Sequence, residues 1–500
     1  MEIAFKNLKS KILVIIALAI ATVFCLETLA RGYDFYTSIV SGDQTVEDVD
    51  ISNYPSRFRI GSQYLVLTVI YLIWLVRDKQ KYQGYDFLDI LKSTWVFLAI
   101  AFIGYPFTQD IYLYLQYGLM AINGLNPYLS ASGDFASVLS PFIFWNQTST
   151  YGPISQIFFI ISAAFVPVSP ILGVYIFKFI CLLFHLFNSY LIWREIRLNN
   201  YGIRIAIAYL LNPLLLFELV TEAHVDVFVC TTIILATTAI VKRKYVRGIL
   251  AIWLGILSKT LPIILLPLFF TLLFKQKRWK ILSSSIILSI SIILALQYSI
   301  LPSVESWKSL LNPGVGDLVS GSLHDLLKLI VNSEYVEYLF PNFAINYQDN
   351  ILTAFRYLTY FCFAAYYAWV VGKAYWNKNY SESNLVVDMG WVTLVLLLFA
   401  TPWLMPWYPT ILFPFIALNL HARWFCVTSF TFGVVLSCAF YTLGYGPLYG
   451  QILPGVIGTV LATIPAIAIL LFGRKIRQFP QFEKLLRSKG LLSYNRRIPN

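Results

Sequence analysis

The segment KRKYVRGILAIWLGILSKTLPIILLPLFFTLLFKQKRWK, Lys242–Lys280, decides the fold. It opens on Lys242, Arg243, Lys244 and Arg247 and closes on Lys275, Lys277, Arg278 and Lys280. Two apolar arms, 247–258 and 261–274, lie between and meet at Ser258-Lys259-Thr260-Leu261-Pro262. An arm that is apolar all round belongs in lipid or in a protein core, not at a water-facing surface. Lys and Arg gather at the cytoplasmic edge of a membrane. Both flanks are basic, so the pair reads as a tight or re-entrant helical hairpin that enters and leaves by one face.

The same pattern runs outward along all 500 residues. Hydrophobic residues make up 58% of the chain and charged residues 12%, against about 25% charged in a soluble domain. That excess of burial capacity excludes soluble domains and disorder. The six cysteines, at 25, 181, 230, 362, 426 and 438, form no CxxC and lie in apolar runs, which excludes a disulfide scaffold. Four histidines leave little room for a zinc site. A formal charge of +12 points to nucleic acid in a soluble protein. Here most Lys and Arg cluster between apolar runs, as expected of an inner face against anionic lipid.

Apolar runs of about spanning length cover 11–30, 61–77, 92–107, 170–193, 203–221, 226–241, 281–300, 351–373, 385–401, 408–421, 424–443 and 452–473. The chain therefore reads as an all-α polytopic membrane protein with about 12–14 transmembrane helices. Both termini are cytoplasmic in this reading, and the first helix is an uncleaved one rather than a signal peptide. Residues 154–167, only 14 long, form a short helix at the outer interface. Residues 1–473 make one transmembrane domain, with a catalytic outer loop at 107–169 and a second outer loop at 301–350. Residues 474–500 form a basic cytoplasmic tail. The outer assignment rests on acidic loops: Asp34, Asp43, Glu47, Asp48 and Asp50 in 31–60, and Glu305, Asp317, Asp325, Glu334, Glu337 and Asp349 in 301–350.

Ionisable groups at a membrane edge are costly and mark function by default. Asp110 follows the 92–107 run inside Tyr105-Pro106-Phe107-Thr108-Gln109-Asp110-Ile111-Tyr112, with Tyr114, Tyr117, Tyr128 and Tyr151 after it. A partly desolvated carboxylate there suits proton acceptance near neutral pH, and aromatic rings suit sugar binding. A helix-capping Asp within an aromatic belt is the plainer alternative. Glu222-Ala223-His224-Val225-Asp226 sets three ionisable groups between two runs. Lys259, at the hairpin tip, suits a phosphate, with snorkelling to the headgroups as the alternative. Thr401-Pro402-Trp403-Leu404-Met405-Pro406-Trp407-Tyr408-Pro409 breaks a helix with three prolines, which a membrane protein tolerates only inside protein or beside a cavity. His324, in Ser322-Leu323-His324-Asp325, and Arg356 are further candidates for substrate contact. No phosphate-binding GxxxxGK[ST] loop, GxSxG elbow or HExxH helix occurs.

The order Gln109-Asp110-Ile111-Tyr112, Gly118, Gly124-Leu125-Asn126-Pro127-Tyr128, Tyr151-Gly152-Pro153, Asn212-Pro213-Leu214, His224-Val225-Asp226, Ser258-Lys259, Pro267 and Pro406-Trp407-Tyr408 resembles the GT-C class of integral-membrane glycosyltransferases. The likeness runs over about 105–420 and is greatest to bacterial polyprenyl-phosphomannose-dependent α-1,6-mannosyltransferases. It implies many transmembrane helices, a catalytic acid in an early outer loop, a lipid-linked sugar donor and a glycan or glycolipid acceptor reached from the outer face of a bacterial plasma membrane. It gives the acid of its D-x-Y segment, here Asp110, the role of base. Where that family often has an Arg shortly after this Asp and a G-H-x-D turn, this chain has Leu113 and Glu222-Ala223.

The chemistry read from the residues agrees. Asp110 takes the acceptor hydroxyl proton in one inverting displacement. Lys259, with Arg356, steadies the departing lipid phosphate. Tyr112, Tyr114, Tyr128, Tyr151, Glu222, His224, Asp226, His324, Trp407 and Tyr408 are the expected substrate contacts. No metal ligand is assigned: a divalent cation between Asp110 and Asp226 is compatible with the chemistry but not required by a single phosphate leaving group. A lipid or solute transporter or flippase would also explain broken helices, but it would bring internal repeats, and none is found. An outer-leaflet polysaccharide polymerase or ligase is the competing enzyme; such enzymes rely on outer-loop arginines, and few lie outside here.

Overall fold

In a computed structural model the chain is described over residues 8–41, 54–77, 86–143, 145–197, 202–311, 318–331, 341–443 and 452–476. Nearly all of this is helix, and among the described residues the only β pairing is two isolated bridges. The basic tail beyond 476 and the acids Asp43, Glu47, Asp48, Asp50, Asp317, Glu334 and Glu337 lie outside the described residues.

In chain order the helices are α1 Leu8–Ser41, α2 Tyr54–Arg77, α3 Phe87–Ile103, α4 Asp110–Ile122, α5 Pro153–Ala163, α6 Pro170–Ile196, α7 Gly202–Leu210 and α8 Pro213–Leu216. A π-helical turn, Phe217–Thr221, continues α8. There follow α9 Asp226–Val241, α10 Tyr245–Ile256, α11 Leu265–Lys275, α12 Trp279–Ser299, α13 Val304–Ser309, α14 Leu323–Val331 and α15 Pro341–Trp376. Last come α16 Glu382–Phe399, α17 Leu412–Leu418, α18 Arg423–Leu443 and α19 Ile452–Ile476.

Seven of these contain segments long and apolar enough to cross a bilayer: Lys11–Ser38, Phe58–Val76, Pro170–Ile196, Trp279–Ser299, Glu382–Phe399, Arg423–Leu443 and Gly455–Gly473. An eighth span is formed if α7 and Pro213–Thr221, bent by 45° at Asn212-Pro213, count as one. Proline lacks the N–H that a continuous helix needs, so the chain turns there. Asn212 recaps it by accepting from the Leu214 amide at 2.9 Å. The runs at 226–241, 247–258, 261–274 and 408–421 form shorter apolar helices. Residues 154–167 give α5, an 11-residue helix, about 16 Å long and too short to span. The expected loop at 31–60 begins later than its composition suggests, because α1 stays helical to Ser41 and carries Asp34 within it.

Three elements run between the same two ends of the molecule. α9 starts at Asp226 and ends beside Lys242; α10 starts after Lys244 and leads to Lys259; α16 starts at Glu382 and leads to the proline-rich 401–409 segment. At one end ion pairs join these starts and finishes: Lys242 to Glu195 at 2.5 Å, Arg243 to Glu382 at 3.0 Å and Lys373 to Asp388 at 2.8 Å. Lys275 donates to the carbonyls of Ala374 and Asn377 there too. The basic clusters therefore share one end, and Asp226, Lys259 and the proline segment share the other. Sixteen residues of α9 separate the ends by about 24 Å, less than the ~30 Å of a hydrocarbon core.

Candidate active site

At the end that holds Asp226 and Lys259, backbone irregularity builds the site. The π turn passes the Glu222 amide to the Phe217 carbonyl at 2.8 Å and the His224 amide to the Glu218 carbonyl at 3.0 Å. Ala223 takes a φ of 57° to reverse the chain. Lys178, fully buried inside the apolar run of α6, donates to the carbonyls of Thr221 at 2.7 Å and Val220 at 3.0 Å. Those are carbonyls left over where the helix ends. Glu222, also fully buried, accepts from the Phe107 amide at 2.9 and 3.0 Å and from the Thr108 amide at 2.8 Å. Its carboxylate thereby orients the segment that leads into Asp110.

Asp110 is the first residue of α4 and keeps 17% of its side chain accessible. Its Oδ2 lies 3.5 Å from the Tyr114 hydroxyl, one helical turn on, and 3.7 Å from His224 Nδ1. Burial raises its pKa to about 6, against the opposing pull of Lys259; Glu222 and Asp226 add to the rise. A carboxyl titrating there is ionised at pH 7 and still a competent proton acceptor. His224 is fully buried, and burial first, then Lys259, holds it well below the usual imidazole range. Its ring stacks on Trp407, with centroids 3.9 Å apart and planes at 20°.

Lys259 reaches the same place from α10. Tyr151 and Lys259 form an antiparallel bridge, the Gly152 amide donates to the Ser258 carbonyl at 3.1 Å, and the Ile154 amide to the Leu257 carbonyl at 2.9 Å. Gly152 permits the approach: a Cβ there would fall 2.2 Å from the Leu257 carbonyl oxygen. Lys259 Nζ donates to Asp226 Oδ1 and Oδ2 at 3.0 and 2.9 Å and stands 4.5 Å from the Tyr408 ring centroid. It keeps 18% of its side chain accessible.

Eight expected residues thus gather at one end: Asp110, Tyr114, Tyr151, His224, Asp226, Lys259, Trp407 and Tyr408. Five do other work. Tyr112 lies two positions from Asp110, about 200° round the helix, and stacks on Phe35 at 4.4 Å. Tyr128 is buried and donates to the Tyr151 carbonyl at 2.9 Å. Glu222 faces backbone amides, as above, and its oxygens are not turned to an open surface. His324 sits on α14 with Nε2 2.9 Å from Thr359 Oγ1, and Arg356 acts on it electrostatically. No described contact links these two to Asp110. The stretch just before α14 braces the proline segment, where the Ser320 amide donates to the Pro402 carbonyl at 3.0 Å and the Leu404 amide to the Ser320 carbonyl at 2.8 Å.

Two groups were not foreseen, Glu218 and Lys178; the signal for each was a lone charge inside an apolar run. Among the described residues, no group of three or more His, Cys, Asp or Glu side chains is arranged to hold a metal ion. An apolar cavity of about 300 Å³ lies apart from the polar cluster, between α1, α2, α3 and the Pro213–Thr221 segment, with Phe24, Tyr64, Trp74 and Phe217 in its walls. None of the ionisable groups above lines it, so the chemistry is read from the cluster.

Residues 56–275 match the family model described as alpha-(1->6)-mannopyranosyltransferase, N-terminal domain. Over those residues the chain is similar to the α-(1→6)-mannopyranosyltransferase family. It spans α2 to α11 and so contains Asp110, Glu222, His224, Asp226 and Lys259. No curated protein and no solved structure matches. The protein is accordingly a membrane glycosyltransferase of the mannosyltransferase kind. A mannosyltransferase needs a sugar donor and a glycan acceptor, and the cluster offers it a carboxylate, a cation and aromatic faces at one end.

Proposed function

We propose that the protein moves a mannosyl residue from a polyprenyl-phosphate donor to a glycan or glycolipid acceptor at the outer face of the membrane, by a single inverting displacement. The observation that carries the reading is the pairing, at the end opposite the basic clusters, of an accessible carboxylate with a nearby accessible cation. Asp110 accepts the acceptor hydroxyl proton as that oxygen attacks the anomeric carbon. Lys259 faces the phosphate as the glycosidic C–O bond breaks and its electrons leave with the phosphate. An ammonium has three N–H donors, so Asp226 holds it in position and still leaves a donor for phosphate oxygen. Electrostatic stabilisation of a developing phosphate charge in a site shielded from water is large. Tyr151 and Tyr408 offer ring faces to the sugar, and Asp226 orients Lys259.

The outer assignment is supported by charge: Arg194, Arg197, Arg204, Lys242, Arg243, Lys275 and Lys280 fall at the far end, as they would against the cytoplasm. The reading is tested with purified protein in lipid vesicles. Radiolabelled polyprenyl-phosphate mannose should label an added glycolipid acceptor, while a nucleotide-activated mannose should not. Transfer from the nucleotide sugar alone would refute it.

A further inference from the structure

We infer that Glu222 is the positioning residue for Asp110, and that the turn it opens fixes the spacing of base and cation. This rests on the reading of Asp110 as the base. Among the described bonds, no amide from Tyr105 to Thr108 meets a backbone carbonyl. Pro106 has no amide to give. The Tyr105 amide goes to Thr28 Oγ1 at 3.0 Å, and those of Phe107 and Thr108 go to the Glu222 carboxylate at 2.8–3.0 Å. Two side chains therefore take every amide in this stretch. α4 begins two residues later, and its N-cap, Gln109, makes no side-chain capping bond. Two residues of chain reach about 7 Å at most, so whatever holds Thr108 limits where Asp110 can go.

Glu222 suits this task and no contact with substrate, because it is completely enclosed. A carboxylate offers two oxygens that only accept, which matches a run of amides; a carboxamide would turn an N–H toward one of them. Glu222 is itself firmly placed. Its amide donates to the Phe217 carbonyl at 2.8 Å, Lys178 holds the carbonyls of the two residues before it, and Ala223 reverses the chain just after it. Four residues on, the turn ends at Asp226, which receives Lys259 Nζ at 2.9 and 3.0 Å. One short turn thus carries a carboxylate at each end. The first holds the segment that bears the base, and the second holds the cation.

Glu222 also acts on Asp110 through its charge. Burial raises the Asp110 pKa and Lys259 lowers it; Glu222 comes next and raises it. Burial raises the pKa of Glu222 too, and the Phe107 and Thr108 amides hold it down. The charged or titratable groups facing Asp110 are Tyr114 and Tyr117 from α4, Tyr151, His224 and Asp226, Lys259 and Tyr408. Those facing Glu222 are Arg31 from α1, Tyr112 from α4, Lys178 from α6, Glu218 and Tyr441. Glu218 lies one turn earlier, 3.3 Å from the Tyr441 hydroxyl, 3.5 Å from Ser437 Oγ and 3.5 Å from His224 Nε2. Removing the Glu222 charge lets Asp110 ionise at lower pH.

The test is transfer per folded molecule by the full chain in lipid vesicles, with polyprenyl-phosphate mannose as donor and a glycolipid as acceptor. Glu222→Gln keeps the reach and loses the charge and one acceptor. Glu222→Asp keeps the charge and is one methylene too short for the amides. Each should lower kcat about 10- to 100-fold, the scale of an about 1 Å misplacement, and leave both KM values within about twofold. Glu222→Gln should also move the acid limb of kcat to lower pH, which a purely structural role would not do. If Glu222→Gln does not fold, Glu222→Asp decides. Rates within twofold of wild type, a raised KM at unchanged kcat, or an unmoved acid limb in folded Glu222→Gln would overturn the proposal. Loss of folding in both variants would overturn it too, leaving the clamp a folding element. Asp110→Asn separates the two readings. An inactive Asp110→Asn beside indifferent Glu222 variants sinks only the positioning role, whereas a fully active one removes the base assignment and this role with it.

Discussion

Gly152→Ala should disable the site from outside it. Gly152 has a φ of −69°, a conformation alanine adopts freely, so the backbone itself resists nothing. The obstacle is across the gap: an alanine Cβ would meet the Leu257 carbonyl oxygen at 2.2 Å, its carbon at 2.4 Å and its Cα at 2.9 Å. All three atoms are backbone and cannot rotate away. To reach ordinary contact at 3.4 Å the two segments must separate by about 1.2 Å. The Gly152 and Ile154 amide bonds, at 3.1 and 2.9 Å, then pass out of hydrogen-bonding range. Overpacking of this kind costs about 1–3 kcal/mol. The larger effect is on rate, because the same pairing sets Tyr151 against Lys259, and a misplacement of about 1 Å costs on the order of 10²-fold. The assay is transfer per folded molecule in vesicles, with the detergent melting midpoint measured alongside. Gly124→Ala is the control: its φ of 80° strains an alanine, but nothing lies within 4 Å, so it should lose a little stability and keep its rate. Wild-type rate in Gly152→Ala would refute the claim that this pairing positions the site.

Other outcomes follow from the same geometry. A base must be deprotonated, and Asp110 titrates at about 6, so kcat should fall about tenfold between pH 7 and pH 5; a flat profile there excludes Asp110 as the titrating base. Lys259→Met leaves the buried Asp226 carboxylate unpaired, which costs about 3–5 kcal/mol, and removes the phosphate's partner. Adding Asp226→Asn should restore the melting midpoint without restoring the rate, and recovery of both would show Lys259 to be structural. Lys178→Met orphans the Val220 and Thr221 carbonyls, at about 1–3 kcal/mol each, and should lower the melting midpoint; an unchanged midpoint would mean that the turn holds itself.

Local composition made much of this legible. Apolar runs announce the membrane helices, and Asp110, Asp226, Lys259 and Trp407 stand out because charge, proline and tryptophan are conspicuous at the ends of such runs. What composition hides is direction. Tyr112 and Tyr114 read alike as tyrosines near Asp110, yet the helix turns one into the Phe35 packing and the other toward His224. Glu218 and Lys178 were lost for the opposite reason: a single charge does not interrupt an apolar run, and only the folded chain sets each beside the carbonyls, hydroxyls or imidazole that make its burial tolerable. The close approach of Gly152 to Leu257 joins segments a hundred residues apart, and no local pattern encodes it. His324 and Arg356 look like substrate contacts in the sequence because one falls in the 301–350 loop and the other at the start of the next apolar run, whereas the fold sets His324 against Thr359 and uses the neighbouring Ser320 to brace Pro402 and Leu404.

The most direct measurement is single-turnover mannosyl transfer by Asp110→Asn in lipid vesicles at saturating donor and acceptor. The amide keeps the shape of the side chain and its contacts with Tyr114 but cannot accept a proton. The account predicts a rate lower by about 10²–10⁴-fold, with substrate binding and melting midpoint near those of the wild type. A rate within twofold of wild type would contradict it.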